Sequence, residues 1–173
     1  MAPLLTDKFI TATQIQDPIV CLLHVPSLSS NQSFFQQLLT KQEQQKAAAM
    51  SNSLRFNHFV IGRGALRFLL GELSQQDPLS VPLRTHPFGK LVLADKSLQF
   101  NISHCNDYIT IVFSKTMEVG IDIETIKPRR QWQSIVNRYF SKKEQQVIHA
   151  ANENIQLDLV YRMWTAKEAV AKA

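Results

Sequence analysis

The sequence holds no apolar run of about 18 residues or more, so nothing in it reads as a membrane span. Its start, MAPLLTDKFITATQIQ, lacks the charged head and apolar centre of a secretion signal. Cysteine is scarce. Cys21 and Cys105 stand far apart and in no metal-ligand spacing, which reads as two reduced thiols in a cytoplasmic protein. Zinc-finger spacing is absent, and so are the interleaved aromatics of RNA-binding motifs, so no nucleic-acid partner is expected. No Gly/Ser-rich linker divides the chain.

What remains is an ordinary globular composition over 173 residues, 45% hydrophobic and 19% charged, enough for one domain or two small ones. The formal net charge is +5, which by itself favours an anionic partner of any kind: nucleic acid, a phosphorylated small molecule or an acidic protein. The densest basic cluster is 127-KPRR-130, with Lys142 and Lys143 nearby.

The chain repeats itself. The stretch 40-TKQEQQKAAA-49 resembles 141-SKKEQQVIHA-150. Each opens on Thr or Ser with Glu three positions on, the capping-box signature of a helix start. A helical segment follows each, 57–73 and 157–173, and an apolar strand precedes each, 18–25 and 118–124. After its second helix the first unit continues through 88–94 and then strands at 97–103 and 108–114, whereas the second stops at Ala173. The expected fold is therefore α+β, a duplicated α+β unit with halves at 1–115 and 116–173, the second shortened at its C-terminus.

Five groups of residues carry chemistry. In 119-VGIDIE-124, alternation along a strand puts Asp122 and Glu124 on one face and Ile121 and Ile123 on the other. Two like charges so close need a cation between them, or a solvated strand end. Such a pair suits magnesium, which takes one or two carboxylates plus water and phosphate oxygens. Glu144 is either a capping-box residue under Ser141 or a third carboxylate. In 164-WTAKEAVAK-172, Glu168 and Lys172 share a helix face. They are either an exposed pair or, since the segment is apolar nearly all round, a buried acid suited to general-base work. In 100-FNISHC-105, Ser103 and His104 point apart on an extended chain, so they read as separate anion contacts or as turn residues, not as nucleophile and base. Arg63 and Lys90 are phosphate ligands or surface charges.

The set FGK, FNISH, GIDIE, RYFSKKE and WTAKEA, in this order, resembles the 4′-phosphopantetheinyl transferase superfamily, most closely its surfactin-synthetase-activating type of two pseudo-symmetric α+β halves. The likeness runs from about residue 40 to the end. It implies a magnesium-dependent enzyme that moves the phosphopantetheine arm of coenzyme A to a serine of a carrier protein, leaving 3′,5′-ADP. Such carriers serve fatty-acid, polyketide or nonribosomal peptide synthesis. By motif, Asp122, Glu124 and Glu144 correspond to metal ligands, Glu168 to the base, and Lys172 to the cation at the pyrophosphate. Arg63, Lys90, Ser103 and His104 fall at coenzyme A contacts. The implied partners are coenzyme A and an acidic acyl or peptidyl carrier protein, met by a monomer with its cleft between the halves. The alternative is a non-catalytic family member that binds coenzyme A or a carrier. It is favoured by the uncharged stretch 47-AAAMSNSL-54, where family members often carry basic residues, and by the stop at Ala173.

Overall fold

The structure is a computed structural model that describes residues 17–86, 89–128 and 132–173. The N-terminal stretch, Pro87 and Phe88 of the FGK motif, and Arg129 and Arg130 of the basic cluster lie outside the described residues. No helix among the described residues is long and apolar enough to cross a membrane.

Three strands make the main sheet: β1 (Ile19–His24), β4 (Gln99–Cys105) and β5 (Tyr108–Ser114), in the order β1-β5-β4, all antiparallel. A short hairpin of β2 (Leu83–Thr85) and β3 (Leu91–Leu93) lies apart. The turn between β4 and β5 passes through Asn106 in the left-handed region, which asparagine tolerates better than most residues. Alternation does the rest. Cys21, Leu23, Phe100, Ile109, Ile111 and Phe113 share one face of the sheet and are buried.

That face is covered by the long helix α4 (Ser53–Ser74). Asn52 caps it, its side chain accepting from the Arg55 amide at 2.9 Å. Contact is close: a Cβ added to Gly62 would stand 3.1 Å from Ile109 and 3.7 Å from Ile102. Three short helices precede α4: α1 (Val25–Leu28), α2 (Gln32–Gln37) and α3 (Lys41–Ala48). Helix α2 meets α4 at Gly64, where a Cβ would lie 2.6 Å from the Phe35 carbonyl oxygen, so only glycine fits there.

The C-terminal part is helical: α5 (Trp132–Tyr139), α6 (Lys142–Ala150) and α7 (Glu153–Lys172). It has its own small apolar cluster of Val136, Phe140, Ile148 and Val160, separate from the larger one built by residues 21–113. Two expectations need correction. Residues 118–124 form no strand, because among the described residues no backbone-to-backbone bond joins them to a neighbour. Helix α7 is not buried all round: only Val160 and Tyr161 are buried, and Val170 is 78% exposed.

The repeated sequence gives repeated local structure. Thr40 caps α3 and Ser141 caps α6, each in a complete capping box with Glu43 and Glu144. The next residue, Gln44 or Gln145, donates its side-chain N–H back to the preceding helix end, to Leu39 O at 3.0 Å and to Phe140 O at 2.9 Å. Three residues further on, Ala47 and Ile148 are both buried.

Glu43 ties α3 to α4. Its Oε2 accepts from Arg67 Nε at 2.7 Å and its Oε1 from Arg63 Nη1 at 2.8 Å. Arg67 is buried and also donates to Pro78 O and Val81 O. Burial raises the Glu43 pKa, but the Arg67 hydrogen bond, the Thr40 amide and the two guanidinium charges outweigh it, so the carboxyl stays below its ordinary value. Glu43→Gln removes the charge facing a buried guanidinium and is expected to cost about 1–2 kcal/mol. Because the folded value is depressed, this stabilisation is complete above the ordinary pKa of 4.5 and is lost as pH falls below it. Urea titrations at pH 7 and pH 3 should show the variant and wild type far apart at the first pH and closer at the second.

Candidate active site

The two acids lie along β4. Asn101, Ser103 and Cys105 alternate onto one face of that strand, and the segment 121–125 runs beside them in the same direction. Asn101 Oδ1 accepts from the Ile121 amide at 3.2 Å, Ser103 Oγ donates to Asp122 Oδ1 at 2.9 Å, and Cys105 Sγ lies 3.7 Å from Glu124 Oε2. Asn106 completes the row with a bond to Thr125 Oγ1 at 2.6 Å. Side chains of β4 thus do the holding that a backbone ladder does elsewhere. Asp122 and Glu124 face the same strand face.

A cation answers Asp122, and it comes from the protein. Lys172 Nζ donates to Asp122 Oδ1 at 2.5 Å and to Ser103 Oγ at 3.3 Å. The Asp122 side chain is only 6% exposed, yet its second oxygen, Oδ2, is buried with no hydrogen-bond partner. A bare carboxylate oxygen in such a place is costly and is a free donor atom for a hard cation. Asp122 and Glu124 therefore fit magnesium by donor chemistry. Among the described residues, no group of three or more His, Cys, Asp or Glu side chains is placed to hold a metal. Glu144 in particular is used elsewhere: Oε2 accepts from the Ser141 amide at 2.7 Å and Oε1 from Lys167 Nζ at 2.9 Å.

Helix α7 reaches the acids because Gly120 lets it. Its last turn lies directly on Gly120, where an added Cβ would meet the Ala169 carbonyl oxygen at 1.9 Å and the Ala173 amide nitrogen at 2.7 Å. Asn101 Nδ2 donates to Lys172 O at 3.4 Å, and Lys90 Nζ to Ala173 O at 2.5 Å. Sequence reasoning missed Asn101, although a polar residue in mid-strand between Phe100 and Ile102 is a signal for such a clamp.

Beside this junction opens a cleft of about 510 Å³, lined by His86, Lys90, Asn101 and Lys172 among others. Among the described residues two lysines and no Asp or Glu line it, so its walls favour an anion. Glu168 is half-buried on α7, four residues before Lys172. Lys172 turns to Asp122 and Ser103. Ser103 and His104 face apart, as expected of neighbours on a strand. Ser103 goes to Asp122, while His104 is exposed and meets His58 edge-on at 5.2 Å between ring centroids. Burial and the neighbouring His104 hold His58 below the ordinary histidine value, against the opposing pull of the Asn106 backbone and Asp107. Arg63 is not with these residues. It lines a second trough with Lys46 and Phe59, bonded to Glu43.

Helices, a small antiparallel sheet, and paired acids beside a lysine-lined cleft make an α+β protein whose cleft walls favour an anion. Comparison with known proteins is specific. Residues 118–173 match the family described as the 4′-phosphopantetheinyl transferase superfamily. The chain is 31% identical over 119 residues to 4′-phosphopantetheinyl transferase HetI of Nostoc sp., covering 66% of this chain and 50% of that protein. It is 41% identical over 85 residues to 4′-phosphopantetheinyl transferase AcpT of Escherichia coli O157:H7, covering 49% and 44%. It is also 36% identical over 140 residues to the mouse L-aminoadipate-semialdehyde dehydrogenase-phosphopantetheinyl transferase, covering 69% and 45%. The likeness to the 4′-phosphopantetheinyl transferase superfamily is thus carried by residues 118–173 and by these partial matches. It spans about half the length of these curated relatives.

Proposed function

We propose that this chain transfers the 4′-phosphopantetheine arm of coenzyme A to a serine hydroxyl of an acyl or peptidyl carrier protein and releases 3′,5′-ADP. The observation that carries the reading is the junction of Asp122, Glu124 and Lys172 beside the lysine-lined cleft, with Glu168 on the same helix. In the transfer, a bond forms between the serine oxygen and the β-phosphorus while the bond from that phosphorus to the bridging oxygen breaks. A serine hydroxyl is a weak nucleophile, so Glu168 takes its proton. Lys90 and Lys172 hold the phosphates and neutralise the charge that develops on them. Magnesium, held by Asp122 and Glu124, would supply further charge neutralisation at the same oxygens.

His104 and Arg63 are the proposed contacts for the more distant phosphate of coenzyme A. Ser103 acts on the ligand indirectly, by orienting Asp122. Two pseudo-symmetric halves, 1–115 and 116–173, fit the repeated helix starts and the two apolar clusters. The proposed enzyme is a monomer. The net charge of +5 suits an acidic carrier, and the two free thiols suit the cytoplasm. One observation favours the second reading, a member that binds coenzyme A or a carrier without reacting: Lys172 already occupies one Asp122 oxygen.

The test is incubation with coenzyme A, Mg²⁺ and an apo carrier protein, followed by mass measurement of the carrier. The expected result is a gain of one phosphopantetheine, abolished by EDTA and in Glu168→Gln. Coenzyme A binding without any gain would favour the second reading.

A further inference from the structure

The repeat supplies an internal control for Glu144. Glu43 and Glu144 occupy equivalent places in two copies of one local structure. Each closes a capping box through Oε2, and each turns Oε1 to a cation on the following long helix: Arg63 and Arg67 for Glu43, Lys167 for Glu144. The equivalence extends along the long helices. Val60 and Ile61 are buried on α4 as Val160 and Tyr161 are on α7, and Arg67 stands where Lys167 does. Beyond that point the copies differ. The residue after Arg67 is the buried Phe68, and the residue after Lys167 is Glu168. The first copy therefore keeps the Glu-to-cation bond with no acid in the place of Glu168. A bond kept in the copy that lacks the reacting acid is a device of the fold.

We propose that Glu144 is a positioning residue and not a metal ligand: held by Ser141 at the start of α6, it pairs with Lys167, fastens α6 to α7 and so fixes where Glu168 and Lys172 stand. Its two oxygens are both engaged in that task. Lys167 also lies 5.4 Å from the Phe140 ring centroid, at the residue that ends the preceding turn, so one ammonium ties three consecutive segments. The neighbours of Lys167 on the chain do the chemistry. A shift of its stem moves Glu168 directly and Lys172 one turn later. The proposal rests on the transferase reading only where it concerns turnover.

Three measurements on the full chain test it. The first is Mn²⁺ binding, followed by electron paramagnetic resonance, with Mn²⁺ standing in for Mg²⁺. Glu144→Gln should bind within about twofold of wild type, since an uninvolved side chain leaves affinity alone, while Asp122→Asn loses a ligand and should bind at least about tenfold more weakly. Equal weakening in both variants overturns the proposal. The second is transfer kinetics. Glu144→Gln and Lys167→Met should each lower kcat about three- to tenfold at nearly constant KM for coenzyme A, the double variant should be no worse than either, and Lys167→Arg should restore the rate. A loss in Glu144→Gln without one in Lys167→Met would show Glu144 acting on the ligand itself and sink the idea. The third is amide hydrogen exchange in the last two turns of α7, which should quicken equally in both single variants and in the double. Unchanged exchange overturns the proposal. If wild type transfers nothing, the transferase reading fails, and this third measurement still decides the role of Glu144.

Discussion

Gly120→Ala should lower transfer by about a hundredfold or more while leaving most of the molecule folded. The methyl group has nowhere to go. All three of the atoms it would approach, at 1.9, 2.7 and 2.9 Å, belong to the backbone of Ala169 and Ala173. Flexible side chains could turn aside at little cost, but a helix backbone moves only as a unit. The last turn of α7 must lift off, and with it go the bonds from Lys172 to Asp122, from Asn101 to Lys172 O and from Lys90 to Ala173 O. A misplacement of about 1 Å at reacting groups costs on the order of a hundredfold in rate. The large apolar cluster of residues 21–113 is remote from this contact, so the main thermal transition should remain. The measurement is the carrier mass assay beside a melting curve. Wild-type transfer in Gly120→Ala would mean that α7 does not rest on Gly120 during turnover.

Asp122→Asn should also lose transfer by about a hundredfold or more, but with stability nearly unchanged. The substitution forfeits the charge-assisted bond from Lys172, of the order of 2 kcal/mol for a buried pair and less here because the Lys172 side chain is 32% exposed. It keeps an acceptor for Ser103. It also replaces a buried charge by a neutral amide; the nitrogen in the place of Oδ2 still lacks a partner, but a neutral group is cheaper to bury than a carboxylate, which returns about 1–2 kcal/mol. The two contributions nearly cancel, and the net should lie within about 1 kcal/mol, a few degrees in Tm. Activity has no such compensation, because both the carboxylate charge and the anchor for Lys172 go together. A residue kept at an energetic cost to the fold is what a working site looks like. Should Asp122→Asn melt far below wild type, the Asp122–Lys172 pair would be a structural ion pair first.

Much of the fold was legible because it is written in local signals. Capping boxes at Thr40 and Ser141 marked two helix starts, and alternation marked β4 and β5. The segment 118–124 misled for an equally physical reason. Alternation tells which way side chains point, and Asp122 and Glu124 do point the same way, but a strand also needs a backbone partner, which periodicity does not report. The apolar character of α7 overstated its burial, since apolar residues are common on surfaces too. Helices α1 and α2, with Pro26 inside the first and Ser29 and Ser30 between them, gave almost no periodic signal.

In the candidate site, the acids, Glu168 and Lys172 were singled out from spacing and family resemblance together. Asn101, Lys167 and the Glu43–Arg67 bond were not. Each depends on contacts between residues 20 to 71 positions apart in the chain, and long-range pairing leaves no mark in a local pattern. Lys172 was assigned to a pyrophosphate, and the structure adds its bond to Asp122.

The side-chain row between β4 and residues 121–125 bears on compliance. A ladder resists sliding because each backbone bond is lost when register shifts. Here the acids hang from Asn101, Ser103, Cys105 and Asn106, whose rotamers can follow them over a short distance. The stiff sheet behind fixes the direction of approach, and the row in front sets a soft spring against it. Asp122 and Glu124 can thus adjust their spacing to a ligand without disturbing the sheet that carries them.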